Sequence, residues 1–362
     1  MPKVFLSIQG LRGIAALLVV VHHYNGTYET IHRLVGGDTP WLTSYGHLRI
    51  FGAVGVPIFF VISGFVIGMQ RFEPGFAGVY DFMAKRVARI VPLYWTMTLI
   101  FACVAAWTPA QLVRSLLFIE GPTDGGFPVL GPGWSLEYEM FFYVCFAAFV
   151  VSGLAPSKRA GIGALIAVFA LLVLAEMAAG FSALGFFGPI ILEFCGGLVI
   201  ASVVQNRKVT GPWFLYLLMG VVVLAVSATP LVAQYTVIRS MWGVGAFFLV
   251  LGLVSGEMRG WVFMRSMAFQ QLGNASYAIY LSHVVHSFTL FRWPIWYWRW
   301  YKVIEPHLGL AMMVACAAVC GLFLHFCYEV RINAYLRRLL LLSPPALAVN
   351  LAGANVAMPA DR

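Results

Sequence analysis

The 362-residue chain is too apolar for a soluble protein, because 61% of its residues are hydrophobic and only 10% are charged, whereas a soluble domain carries about 25% charged residues. With a mean hydropathy of +0.87, much of its folded surface must lie in lipid. The net charge of +9 is typical of basic residues that hold cytoplasmic loops against anionic lipid, so no nucleic-acid partner is expected.

Ten segments are apolar and long enough to cross a membrane, which takes about 20 residues in a helix. They are residues 11–28, 50–69, 89–108, 133–152, 160–179, 185–204, 212–228, 231–254, 274–292 and 308–328. The first is expected to be retained as a span, since it ends in His22, His23 and Tyr24 rather than at a small-residue cleavage site. The sequence therefore predicts an all-α, polytopic membrane protein with about ten transmembrane helices.

The basic residues predict the orientation of these spans. When both termini are placed in the cytoplasm, sixteen Lys and Arg residues fall on the inner side and seven elsewhere, in agreement with the positive-inside rule. Residues 1–335 are predicted to be the transmembrane domain, and 336–362 a cytoplasmic C-terminal tail. The aromatic segment 293–301 is predicted to be a belt at the outer interface, although a surface that stacks on sugars has the same composition.

The first predicted helix carries two ionisable residues on one face. Arg12 and His23 are eleven residues apart, which leaves them about 20° apart in azimuth and about 16 Å apart along the helix axis. His22 points about 100° away from His23. Because ionisable groups at membrane depth are costly, Arg12 and His23 are candidates for function, with topology anchoring and simple packing as the equally weighted alternative.

Glu139 is a second candidate at a similar depth. If its helix enters the membrane from outside near Gly133, Glu139 lies about 9 Å below the outer boundary, and hence about 21 Å above the inner one. A carboxylate beside an imidazole fixes its tautomer. We therefore predict that Glu139 pairs with His23.

Arg86 and Arg89 flank the inner end of the third predicted span, level with Arg12. Three guanidinium groups at one cytoplasmic mouth would bind a phosphorylated ligand through their forked donors. Anchoring of the helix, with snorkelling side chains, is the alternative for Arg86 and Arg89.

The remaining intramembrane polar residues give weaker signals. His283 and His286 are three residues apart, next to Ser276 and Tyr277, but they lack the acidic or cysteine partners that a metal site needs, so no metal is predicted. Glu176 and Glu193 are expected to pair with a polar neighbour such as Arg239. The six cysteines fall inside apolar runs and are expected to pack as small hydrophobic residues.

Five stretches of the chain resemble, in order, the motifs of the membrane-bound acyltransferase 3 family. They are residues 11–16 (LRGIAA) followed by His23, 55–65 (GVPIFFVISGF), 86–94 (RVARIVPLY), 134–139 (WSLEYE) followed by Phe142 and Tyr143, and 273–283 (GNASYAIYLSH). In the family, the first motif is an arginine or lysine separated from a histidine by ten residues, and the third motif is arginine-x-x-arginine. The pattern looks most like the branch of exopolysaccharide and O-antigen O-acetyltransferases.

The resemblance implies an enzyme of the bacterial inner membrane that moves an acyl group, expected to be acetyl, from cytoplasmic acyl-coenzyme A to a hydroxyl of a surface or lipid-linked saccharide. Arg12, Arg86 and Arg89 would bind the coenzyme A phosphates, and no metal or redox cofactor would be needed. His23 would act as general base or carry the acyl group, with Glu139 orienting it. The residues expected to contact the acceptor or to be structural are Trp134, Ser135, Ser276, Tyr277 and His283.

Two other classes of protein would also use intramembrane polar residues. A transporter or flippase of a lipid-linked saccharide would use Arg12, His23 and Glu139 as a proton relay. A haem-binding electron carrier would use His23 and His283 as ligands.

Overall fold

The computed structural model describes residues 4–34, 51–120, 127–155, 157–178, 190–206, 209–227, 236–292 and 306–341. Within these ranges all regular secondary structure is helical. The helices are α1 (Leu6–Leu34), α2 (Gly55–Gly68), α3 (Phe76–Ala102), α4 (Pro109–Leu116), α5 (Gly133–Phe146), α6 (Lys158–Ala178), α7 (Ile191–Gln205), α8 (Trp213–Ser227), α9 (Thr236–Met258), α10 (Met267–Asn274), α11 (Ser276–Arg292), α12 (Pro306–Leu324) and α13 (Val330–Leu341). One π-helical segment, Ala147–Val151, extends α5, and another, His325–Glu329, joins α12 to α13.

The predicted all-helical membrane protein is confirmed. Six described helical stretches are long and apolar enough to cross a membrane: Leu6–Gly26, Phe51–Gly68, Gly133–Val151, Lys158–Ala178, Met241–Met258 and Leu308–Leu341. Two shorter apolar helices, α7 and α8, add to them. Each of the ten predicted spans overlaps a helix, but ten crossings with cytoplasmic termini stay a prediction.

Several boundaries differ from those predicted. Helix α3 begins at Phe76, well before the predicted start at 89, and its first turns are amphipathic, with the exposed ion pair of Asp81 and Lys85. The predicted boundary at 335 falls inside α13. The aromatic segment 293–301 and the side chain of Arg239 lie outside the described residues, so the predictions made for them stay predictions.

Polar contacts join the helix ends on one side of the bundle. The backbone N–H groups of Leu6 and Ser7 donate to the two carboxylate oxygens of Glu257 at 2.9 and 2.8 Å, which caps the start of α1 with the end of α9. Lys158, at the start of α6, donates to the carbonyls of Gly68 and Gln70 at 2.8 and 2.7 Å. These contacts satisfy backbone groups that a helix end otherwise leaves unpaired.

The centre of the bundle depends on a close crossing of α2 and α7. A Cβ atom on Gly64 would lie 2.0 Å from the carbonyl oxygen of Phe194, and one on Gly197 would lie 2.1 Å from that of Val61. Only glycine permits this approach, which is how helices commonly associate in lipid. The ring of Phe142 stacks on that of Phe194 at 4.4 Å between centroids, so α5 is held against the same crossing.

Candidate active site

One cavity of about 100 Å³ lies between α1, α2, α3, α5 and α11. It contains most of the residues singled out in the sequence. Its polar lining consists of Arg12, Ser63, Arg86, Arg89, Ser135, Glu139, Tyr143, Ser276, Tyr277 and Tyr280. The remaining lining is apolar, so the cavity places a few polar groups in an otherwise hydrophobic wall, as small-molecule sites do.

The three predicted arginines meet in this cavity. One Nη of Arg12 donates to the side chain of Gln9 at 3.3 Å, and one Nη of Arg86 donates to that of Gln70 at 2.8 Å. The Nε atom of Arg86 is buried and has no hydrogen-bond partner in the described part of the chain. Since a guanidinium carries five N–H donors, these contacts leave donors for a ligand.

The guanidinium of Arg86 is also held in place by aromatic rings. Its central carbon lies 5.2 Å from the ring centroid of Phe82 and 5.3 Å from that of Tyr143. Such cation–π contacts stabilise a charge that has left water. The positive charge of Arg86 is therefore fixed in the cavity wall, not extended into solvent.

Two hydroxyl groups hold the carboxylate of Glu139. Ser63 of α2 donates to its Oε1 at 2.8 Å, and Tyr143, one turn further along α5, donates to the same oxygen. The hydrogen bonds of Glu139 in the described part of the chain therefore come from α2 and α5, and the predicted direct bond to His23 is not among them. The hydroxyls of Ser63 and Tyr143 are therefore the partners of Glu139, where the sequence had predicted the imidazole of His23.

His23 pairs instead with a second histidine. Its Nδ1 lies 2.9 Å from the carbonyl oxygen of Val19, one turn back on α1, and 3.2 Å from Nε2 of His283 on α11. The two ring centroids are 4.9 Å apart. Tyr24 donates to the carbonyl of His283 at 3.1 Å, so α1 contacts this turn of α11 at two points.

Tyr280 connects the cavity with the histidine pair. It lines the cavity, and its ring centroid is 6.1 Å from that of His283, one turn further along α11. Its hydroxyl contacts the Ser135 hydroxyl at 2.7 Å and donates to the carbonyl of Pro132 at 3.0 Å. Ser135 is therefore buried in this network at the start of α5.

The other predicted residues take different positions. Ser276 lines the cavity, and its fully buried hydroxyl has no hydrogen-bond partner among the described residues. Tyr277 lines it too and donates to the carbonyl of Ile90 at 2.6 Å. Trp134 packs edge-on against the rings of Phe60 and Tyr138 at the start of α5.

The arrangement of the two histidines does not suit a haem. Two axial ligands bind the iron from opposite faces of the macrocycle, and nitrogen atoms 3.2 Å apart leave no room for it. The described residues contain no group of three His, Cys, Asp or Glu side chains that could hold a metal ion.

Sequence reasoning missed Ser63, Tyr143 and Tyr280 as site residues. A signal existed for two of them, because Tyr143 is four residues after Glu139 and Tyr280 is four after Ser276, which puts each pair on one helix face. The contact of Ser63 depends on how α2 packs against α5, which helical spacing cannot reveal.

Helices of membrane-spanning length, a cavity lined by cations and a histidine pair between α1 and α11 define a polytopic membrane protein with an internal site. Residues 5–327 match the model of the acyltransferase 3 family, described as an acyltransferase domain. The chain belongs to this family and is a membrane acyltransferase, as the resemblance of its motifs predicted.

Named relatives agree with the family. The chain is 33% identical over 257 residues to the exopolysaccharide production protein ExoZ of Rhizobium meliloti (strain 1021), covering 66% of this chain and 77% of that protein. It is 28% identical over 361 residues to the acyltransferase MdmB of Streptomyces mycarofaciens, covering 89% and 90%. No solved structure matches the chain.

Proposed function

We propose that the protein is an O-acetyltransferase that moves an acetyl group from cytoplasmic acetyl-coenzyme A to a hydroxyl of a saccharide, free or polyprenyl-linked, at the bacterial inner membrane. The observation that supports this most is that Arg12, Arg86 and Arg89 line one cavity with Glu139, and that Tyr280 in its wall lies beside the pair of His23 and His283. These positions support a site with a phosphate-binding end at the arginines and a proton-transfer end at the histidines.

The donor would enter at the arginine end. Its phosphates are anions that guanidinium groups bind through paired hydrogen bonds. Arg12 and His23 lie on one face of α1 about 16 Å apart. The thin pantetheine arm would extend along this face and bring the thioester to the histidine pair.

The contact with Val19 defines which nitrogen of His23 reacts. A carbonyl oxygen only accepts hydrogen bonds, so the 2.9 Å contact requires the proton on Nδ1 and leaves the lone pair on Nε2. As general base, Nε2 takes the proton of the acceptor hydroxyl while the hydroxyl oxygen attacks the thioester carbon. The carbon–sulfur bond then breaks, and the thiolate takes the proton back from Nε2 to leave as coenzyme A.

The same lone pair also suits a covalent route. Nε2 would attack the thioester carbon, the carbon–sulfur bond would break, and coenzyme A would leave as the thiolate. The acceptor hydroxyl would then take the acyl group from the acyl-imidazolium, and its proton would pass to Nε2 and from there to the thiolate. Mixing the purified protein with ¹³C-acetyl-coenzyme A alone separates the routes, because only the covalent one labels a peptide containing His23 in a mass spectrum.

A saccharide acceptor is supported by the name of the relative ExoZ, an exopolysaccharide production protein. Trp134 and Ser135 lie at the start of α5, which the predicted topology places at the outer mouth of the site. The open part of the half-buried Trp134 indole would stack on a sugar ring, but the buried Ser135 hydroxyl would act by holding Tyr280.

Deletion of the gene, followed by mass spectrometry of the surface polysaccharide, tests the proposal. We expect the polysaccharide of the deletion strain to lack one acetyl ester per repeat, with restoration by the wild type but not by His23→Gln. Normal acetyl content after deletion would overturn the proposal. A reduced amount of polymer with unchanged acetylation would indicate a transporter instead.

A further inference from the structure

His283 has a position that the proposed function does not explain. It is fully buried on α11, far along the chain from the first helix, and its Nε2 lies 3.2 Å from Nδ1 of His23. A hydrogen bond between the half-buried imidazole of His23 and the buried one of His283 fixes the orientation of both rings, because each ring has only two nitrogen atoms to offer. The contact therefore constrains the very group that takes part in acyl transfer.

The surroundings of His23 define the direction of this bond. Nδ1 of His23 faces the carbonyl of Val19, so it carries a proton. Nε2 of His283 therefore meets a donor and acts as the acceptor, which places the proton of His283 on its own Nδ1, a buried atom without a hydrogen-bond partner among the described residues. Nε2 of His283 then carries the lone pair. It accepts a hydrogen bond from Nδ1–H of His23, which the carbonyl of Val19 also accepts.

From this geometry we infer that His283 is a positioning residue that orients His23 and stabilises its imidazolium form during acyl transfer. The inference rests on the proposed function, in which Nε2 of His23 takes the acceptor proton. At that moment the ring of His23 is positive, and its Nδ1–H points at two acceptors, Val19 and His283. The role is the one that a third group plays behind a general base in hydrolytic triads.

A neutral imidazole is a better acceptor for His23 inside the membrane than a carboxylate would be. An ionised carboxylate loses its hydration when it is buried, and it needs several donors to compensate. Glu139 has two hydroxyl donors, whereas the ring of His283 needs no counter-charge. His283 thus supplies the acceptor that we had expected from Glu139, without a second buried charge beside His23.

The test compares three variants of the full-length protein in proteoliposomes, with ¹⁴C-acetyl-coenzyme A as donor and exopolysaccharide from the deletion strain as acceptor. His283→Gln places an amide oxygen near the position of Nε2, and His283→Asn places one near that of Nδ1. His286→Phe, one turn further along α11, is the matched control. Acetyl-coenzyme A affinity, measured by calorimetry, shows that each variant is folded.

We expect His283→Asn to lower kcat by about 100-fold, in the range for a mispositioned general base, with unchanged KM for acetyl-coenzyme A. His283→Gln should recover at least about tenfold of that loss, since only its oxygen reaches Nδ1 of His23, and His286→Phe should keep the wild-type rate. Equal rates for the Gln and Asn variants, or a wild-type rate for both, would overturn the inference. An inactive wild type would instead contradict the proposed function.

Discussion

The arginine cavity and the histidine pair differ in how their polar groups are satisfied. In the cavity, Nε of Arg86 and the hydroxyl of Ser276 are buried without a hydrogen-bond partner among the described residues. In the pair, Nδ1 of His23 has both Val19 and His283 at hydrogen-bond distance, and the atom without a partner among the described residues is Nδ1 of the supporting ring of His283. Because unpaired buried donors cost about 1–3 kcal/mol each, the cavity is arranged to receive a ligand, and the pair is arranged to hold a reactive ring still.

This comparison separates binding from turnover. Changes in the cavity should alter the affinity for the donor, and changes in the histidine pair should alter the rate constant. Glu139 lies between these cases, because it lines the cavity with the arginines but has its Oε1 atom held by Ser63 and Tyr143.

The largest effect is expected at His23. His23→Ala removes the lone pair on Nε2 and should lower the rate of acyl transfer by at least about 1,000-fold, at normal membrane levels and with unchanged affinity for acetyl-coenzyme A. His22→Ala is the matched control and should be much milder, since its side chain leaves α1 in another direction. If His22→Ala abolished activity and His23→Ala did not, the assignment of the face of α1 would be wrong.

A smaller effect is expected at Glu139. Glu139→Gln keeps the shape but removes a negative charge from the wall that the arginines also line. The donor should then bind no more weakly but lie away from its productive position, and turnover should fall by about 100-fold, as a misplacement of about 1 Å can cause. Glu137→Gln is the control, because Glu137 points about 160° away on the same helix and does not line the cavity. Steady-state kinetics of both variants test this, and a normal rate for Glu139→Gln would remove the carboxylate from the mechanism.

The arginines should affect affinity more than rate. Replacement of Arg12, Arg86 or Arg89 by Ala should each raise the Kd for coenzyme A by about tenfold, the loss of one charge-assisted contact. Arg89→Lys keeps the charge but loses the fork of donors, so it should recover only part of the affinity. Calorimetry of coenzyme A binding measures this. An unchanged Kd in all three alanine variants would mean that these residues only anchor their helices in the membrane.

The smallest effect is expected at Ser63. Ser63→Ala removes one of the two hydroxyls that hold Glu139, while Tyr143 keeps the other. Turnover should fall by about threefold to fivefold, less than the full loss of a hydrogen bond to a charged group, because Tyr143 still holds the carboxylate. In the double variant with Tyr143→Phe, the fall should reach that of Glu139→Gln; additive small losses would show that the two hydroxyls do not act through the carboxylate.

Helical spacing revealed the parts of the site that lie on single helices. Arg12 and His23 belong to one uninterrupted helix, and both Arg86 and Arg89 lie well inside α3, so their relative positions follow from the 3.6-residue period. The partner of His23 could not be predicted in this way, because His283 is 260 residues away in the chain. That contact depends on the packing of α1 against α11, which the helical period does not reveal.

Transfer by purified protein in proteoliposomes tests the central claim most directly. Wild-type protein, given ¹⁴C-acetyl-coenzyme A and exopolysaccharide from the deletion strain, should produce labelled saccharide, and His23→Gln should produce none while it binds coenzyme A with the wild-type Kd. Transfer by His23→Gln at the wild-type rate, or a loss of coenzyme A binding in that variant, would contradict the division into an arginine cavity that binds and a histidine pair that reacts.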